Sequence, residues 1–302
     1  MRTGLKATCI LVVLAATSAR PGPLHASPAA TSSPRYGQWA ALSFGAYLAP
    51  SGGFVADDGG VDVVFHFHGA RLADHEWRES GLDAVVVDAD LGGTSSAFYA
   101  AFDRPERFGE LLEEVLAALR VRSRRADVHA RRLAVVSFSA GYAAVSRILA
   151  VPAYEARIDA VVLLDSLHAP YVDPIPPGAS EHGIPFRHLI DERPLAPFIR
   201  FGREAMQGKK LLVLTHSSIL PPDYGSTTET GFTLALAIDA RIAEAEGRTK
   251  EGLRRSDTSD ARDFHMRGYW GAEPSEHVAH LHMVGDVVRE FLVPRWSTCG
   301  KL

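Results

Sequence analysis

The sequence predicts a doubly wound α/β fold on a mostly parallel sheet. Three observations carry the prediction. Residues 133–136 and, after Asp159, residues 160–164 are continuous β-branched and apolar runs without polar alternation, as in strands covered on both faces. Other segments space their apolar residues helically, the longest with Phe108, Leu111, Leu112, Val115 and Leu119 on one stripe. Strand-like and helix-like segments then alternate along the chain, as the crossovers of a parallel sheet require. The chain has 302 residues, 46% of them hydrophobic, enough for a sizeable core. A net charge of −4 gives no electrostatic case for nucleic acid or an anionic membrane as partner.

Taken in order, residues 1–26 read as a secretory signal peptide. Arg2 and Lys6 precede an apolar run over 7–16, followed by small residues and Ala-x-Ala-like sites ending at Ala19 and Ala26. The run is too short to span a bilayer, and Cys9 stands at its front rather than behind it, so there is no lipobox. Cleavage leaves Cys299 as the sole cysteine of the mature chain, without an internal disulfide or integral membrane segment. The expected destination is the periplasm or the medium. Residues 27–36 are a flexible leader, and 37–297 are expected to form a single domain.

Within that domain, residues 39–48 alternate loosely as a first strand, closed by Pro50-Ser51-Gly52-Gly53. A turn at 57–60 leads to a strand over 61–67 that ends in His68-Gly69-Ala70. A helix over 74–79, a strand over 84–87 and a Gly/Ser-rich loop over 88–96 follow. That loop lacks both Gly-x-Gly-x-x-Gly and the Walker lysine, and reads as a mobile pocket wall. Pro105 opens the long helix. The basic cluster over 120–132 is interrupted by Asp127 and reads as a solvated connector. The strand over 158–164 ends at Asp165. Residues 166–208 hold seven prolines and one helical stretch near 198–206, the composition of a lid-like insertion over the strand ends. A strand over 211–214, a helix over 229–246, a charged surface linker, a strand over 263–269 and a final helix from a Ser275 cap to about 292 complete the chain. There is no internal repeat.

The rest is organised around residues 132–146, Arg-Leu-Ala-Val-Val-Ser-Phe-Ser-Ala-Gly-Tyr-Ala-Ala-Val-Ser. A buried strand runs into a helix of small residues through Ser137-Phe138-Ser139-Ala140-Gly141, a Ser-x-Ser-x-Gly form of the nucleophile elbow. Such a turn holds a serine hydroxyl clear of the backbone. The next N–H and the helix N-terminus then face a developing oxyanion. Ser137 stands where the usual motif has glycine.

With this elbow, and with Val64-Phe65-His66-Phe67-His68-Gly69 placed like a His-Gly oxyanion segment, residues 40–295 resemble the α/β-hydrolase superfamily, in particular a group of exported bacterial hydrolase-like proteins. The resemblance implies Ser139 as nucleophile, and the N–H groups of Ala140 and of Ala70 or a neighbour as oxyanion donors. It also implies a carboxylate after a later strand and a histidine from the C-terminal segment. Two carboxylates compete. Asp165 emerges directly from its strand and is preferred; Asp223 lies in the loop after the next one. Of His265, His277, His280 and His282, His277 falls at the centre of the final helix's apolar stripe (Leu281, Val284, Val288, Phe291). His280 lies at its edge as the alternative, and His282 points away. His66 and His68 read as structural imidazoles, with His68, Gly69 and His216 expected along the pocket. No metal or cofactor is implied. The expected activity is serine-type ester hydrolysis through an acyl-enzyme, with a small-molecule ester or acyl substrate. The alternatives are an acyltransferase with the same triad and an idle binding protein on this scaffold.

Overall fold

The computed structural model describes residues 36–89, 91–172 and 190–298. The expected signal peptide, nearly all of the leader, residues 173–189 of the Pro-rich segment and Cys299 lie outside them. Ten strands form one sheet in the order β1-β2-β4-β3-β5-β6-β7-β10-β9-β8. The first two, β1 (Ala40–Leu42) and β2 (Gly45–Leu48), are an antiparallel hairpin. One strand was expected over 39–48. The chain turns at Ser43-Phe44, where Glu114 accepts hydrogen bonds from the Ser43 N–H (2.5 Å) and hydroxyl (2.6 Å).

The parallel body comprises β3 (Gly60–Phe67), β4 (Val85–Ala89), β5 (His129–Phe138), β6 (Ile158–Leu164), β7 (Leu211–Ser217) and β10 (Phe264–Trp270). Every adjacent pair in this body is parallel. These strands are buried on both faces, and their alternate residues feed two cores. Val63, Phe65, Val135 and Val161 face one layer, whereas Val64, Val136, Val162 and Val213 face the other.

The first layer contains helices α2 (Ser95–Ala101), α3 (Arg107–Ser123), α4 (Tyr142–Leu149) and α6 (Ala196–Met206), through side chains such as Phe98, Phe108, Val145 and Phe198. The short α5 (Pro152–Arg157) leads from α4 into β6. The second layer contains α1 (Asp74–Glu79), α8 (Pro274–His282), α9 (Val284–Val287) and α10 (Val293–Thr298), with Trp77, Leu281, Val284 and Trp296. Helix α6 corrects the reading of residues 166–208. Phe198 and Phe201 are fully buried against the sheet, so this half of the segment is a core layer and not a lid.

Three further expectations are revised. Helix α7 (Thr227–Ala237) stops well short of residue 246. The expected linker contains β8 (Ala243–Glu244) and β9 (Arg254–Ala261), which extend the sheet antiparallel beyond β10. The final helix starts on a capping box in which Glu273 and Glu276 bond reciprocally, with Pro274 as the first helical residue, so Glu273 and not Ser275 is the cap. That helix breaks at Met283 and passes through a π-helical segment, Val288–Leu292.

The chain crosses over after β4, which lies outside β3, and returns on the other side as β5. The C-terminal ends of β3, β5, β6, β7 and β10 therefore share one edge beside a topological switch point, where open α/β sheets bind ligands.

Candidate active site

Ser139 follows β5 directly. Its φ is +49°, a left-handed backbone conformation that is costly for a residue with a Cβ. Phe138 before it is still extended, and a 3₁₀ turn over Ser139–Gly141 leads into α4. The bend is tight because the elbow crosses β3. A Cβ on Gly141 would lie 2.3 Å from the Phe67 carbonyl oxygen, so only glycine fits there. Ser137, one pleat inward, shares a 2.8 Å hydrogen bond with the Ser166 hydroxyl, and Ser166 donates at 2.8 Å to the carbonyl oxygen of Ser139. The departure from glycine at 137 thus adds a hydroxyl to a pair that holds the strained peptide.

Asp165 ends β6 in the same manner, with φ +45°. Its N–H donates to the Thr215 carbonyl (3.0 Å) and hydroxyl (3.1 Å) on β7. The carboxylate is 1% exposed. It accepts from the Ser217 N–H (2.9 Å), the Ser217 hydroxyl (2.8 Å) and the Thr227 hydroxyl. His277 Nδ1 lies 2.6 Å from its Oδ2. Burial pushes this carboxyl's pKa up, but His280, His277 and Thr227 outweigh it and hold the group well below the usual carboxylate range. An ionised carboxylate only accepts, so Nδ1 carries a proton, and in the neutral tautomer this leaves the lone pair on Nε2.

His277 sits in the first turn of α8, and its ring stacks on Phe138 at 4.6 Å between centroids. His68 also stacks on Phe138, with centroids 5.8 Å apart and the rings nearly parallel. Phe138, the variable residue of the elbow motif, therefore stacks with two imidazoles. Ser139, Asp165 and His277 border one cavity of about 340 Å³. A second cavity, of about 470 Å³, is bordered by Ser139 and Ala140.

The alternative residues lie elsewhere. Asp223 is exposed on the loop after β7 and bonds to none of these groups. His280 is fully buried one turn beyond His277, with Nδ1 2.7 Å from the Thr215 hydroxyl. His265 and His282 pair with Asp260 and Glu76, each at 2.7 Å. His216 was expected along the pocket but borders neither cavity. It is buried between Thr228 (2.9 Å from Nδ1) and Asp257 (3.0 Å from Nε2). His68 and Gly69 likewise stay behind the cavity walls, one against Phe138 and the other facing Leu281. His66 is tied to an indole rather than to backbone: Trp77 Nε1 donates to its Nδ1 at 3.1 Å. Ala140 borders the larger cavity beside Ser139. Ala70 is buried at the start of a 3₁₀ turn, Ala70–Ala73, on the neighbouring strand end. In the glycine-rich loop, Gly93, Thr94 and Ser95 form part of the larger cavity's wall, and Thr94 caps α2.

Sequence reasoning missed His168, Ser217 and Thr227. His168 borders both cavities, and its Nδ1 donates to the Gly225 carbonyl at 3.1 Å. It sits in the proline-rich segment, where no periodicity marks it. The one available signal for Thr227 was the Ser-x-x-Glu box at Ser226 and Glu229, which places it in the first turn of a helix.

Two buried imidazoles give the protein a pH-dependent stability. Burial lowers the pKa of His280 to about 4 and that of His66 to about 3. Unfolded, both return to about 6.5. Between those values the unfolded chain binds more protons, so stability is complete above about pH 6.5 and declines as the pH falls. At about 1.4 kcal/mol per unit, His280 alone withdraws on the order of 3 kcal/mol by pH 4. The melting temperature should fall steadily from about pH 7 to about pH 4.5 in calorimetry; a flat profile would contradict the neutral buried rings.

The order β4-β3-β5-β6-β7-β10, an elbow after β5, a carboxylate after β6 and a histidine after β10 decide the fold. It is the α/β-hydrolase fold. Among solved α/β-hydrolase structures, a ferulic acid esterase is 13% identical over 81% of this chain and 90% of its own, with a TM-score of 0.44. A carboxylesterase from Bacillus subtilis is 10% identical over 88% and 92%, with a TM-score of 0.40. Carboxyl esterase 2 from the mycorrhizal fungus Tuber melanosporum is 15% identical over 87% and 89%, also at 0.40. No family model and no curated protein matches the chain.

Proposed function

We propose that this chain is an exported serine hydrolase that cleaves a carboxylic ester through an acyl-enzyme. The observation that carries the reading is the 2.6 Å contact of His277 Nδ1 with the buried Asp165 carboxylate, on a cavity that Ser139 also borders. Ser139 Oγ attacks the ester carbonyl carbon and its proton passes to His277 Nε2. The carbonyl oxygen becomes an oxyanion, for which the Ala140 N–H and an N–H at Gly69 or Ala70 are the donors; a single donor of this kind is worth about 10²–10³ in rate. The carbon–oxygen bond to the alcohol then breaks, and the alcohol leaves with the proton from Nε2. Water attacks the acyl-serine, gives one proton to His277, and the carboxylic acid departs as Ser139 regains its own. Asp165 fixes the tautomer throughout. Export rests on the charged start, apolar run and small-residue cleavage sites of residues 1–26.

The test is covalent labelling. A fluorophosphonate should modify the purified protein once, with the adduct on Ser139 by peptide mass spectrometry. An unmodified protein, or an adduct on another residue, would overturn the assignment.

A further inference from the structure

The two cavities at Ser139 differ in chemistry, and the reaction gives them different occupants. A leaving alcohol must take its proton from the imidazole that received the serine proton, so it departs on the His277 side. Of the two cavities, only the smaller borders His277, and its wall includes Ile219, Leu220, Pro221 and Pro274; Tyr224 and His168 lie between the two and line both. The acyl group then projects into the larger one.

That larger cavity is walled by aromatic rings with polar tips. Tyr99, Tyr142, His168 and Tyr224 form a chain of edge-to-face contacts, with centroid separations of 6.2, 5.3 and 5.1 Å in that order. A fifth ring entering such a wall gains edge or face contacts beyond its buried area. The polar groups are set as well. His168 Nδ1 donates to the Gly225 carbonyl, which leaves Nε2 as an acceptor on a ring bordering both cavities. Burial raises the Tyr142 phenol's pKa, so it remains a neutral donor. A saturated alkyl chain would desolvate these groups without replacing their hydrogen bonds, and would lose more rotamer freedom than a ring.

We propose that the larger cavity is an acyl pocket for a hydroxylated aromatic acyl group, which stacks among Tyr99, Tyr142, His168 and Tyr224 and hydrogen-bonds to the tyrosine and histidine tips. This assignment rests on the hydrolase reading for its direction, and its test separates the two.

Methyl 3-(4-hydroxyphenyl)propanoate and methyl heptanoate share a leaving alcohol and are of comparable length. The wild-type protein should prefer the aryl ester by about ten-fold or more in kcat/KM. Tyr142→Phe and His168→Leu should each reduce that ratio several-fold. Independently of turnover, the Ser139→Ala protein should bind the primary amide of the aryl acid about ten-fold more tightly than that of heptanoic acid in calorimetry. Equal or reversed preference in both assays overturns the pocket assignment. Selective binding of the aryl amide by a protein that takes up no fluorophosphonate at Ser139 upholds the pocket and overturns the hydrolase reading.

Discussion

Ser139→Ala is expected to lower kcat for p-nitrophenyl acetate by roughly 10⁴- to 10⁶-fold and to abolish fluorophosphonate labelling. The hydroxyl is the group on which the proposed mechanism turns: without it, His277 Nε2 has no serine proton to receive and no acyl-enzyme can form. The fold should survive. Alanine keeps the Cβ, and the hydrogen bond that Ser166 gives the backbone at 139 ends on the carbonyl oxygen, not on the side chain. Circular dichroism and melting temperature close to wild type, with activity gone, is the expected outcome. A variant that retains more than about one per cent of wild-type kcat would place the nucleophile elsewhere.

Asp165→Asn is the second large effect, expected at roughly 10⁴-fold in kcat with little change in KM. The carboxylate accepts from Ser217, Thr227 and His277 at once. An amide offers one acceptor oxygen and an NH₂. Ser217 and Thr227 compete for the oxygen, which turns the NH₂ toward the imidazole. A donor facing Nδ1 forces the ring proton onto Nε2, the atom that must receive the proton from Ser139. Asp223→Asn, on an exposed loop and outside these hydrogen bonds, should stay within about two-fold of wild type. Steady-state kinetics on the two variants decides between the carboxylates, and a nearly active Asp165→Asn protein would reject the first.

What could be read from the chain follows from where each signal is stored. Strands β5 and β6 are legible because their inner stretches, Leu133–Val136 and Ala160–Leu164, are buried on both faces and so appear as short apolar runs shortly before Ser139 and Asp165. His277 was singled out by its phase on an apolar stripe, although only Leu281 of that stripe lies in α8, and His280, expected at the edge, is the histidine that α8 buries fully. Strand β9 could not be found. Its sequence, Arg-Arg-Ser-Asp-Thr-Ser-Asp-Ala, lies toward the sheet margin, where backbone pairing and ion pairs replace the apolar pattern. The hairpin at Ser43-Phe44 was hidden because a loose alternation continues across its turn. His168, Ser217 and Thr227 act through hydrogen bonds between elements distant in sequence, and no local pattern encodes those. The break in the last helix at Met283 has no proline or glycine pair to announce it.

Asp165 and His277 are separated by 112 positions in the chain, and α8 reaches the sheet only after β7 and β10 are laid down. During synthesis, the elbow and its neighbouring strands emerge from the ribosome long before the imidazole does. Under the proposed mechanism, a nascent polypeptide ending anywhere between them carries the serine without its base and should be inert toward esters. On that mechanism competence arrives late in translation, together with the helices that seal the second core.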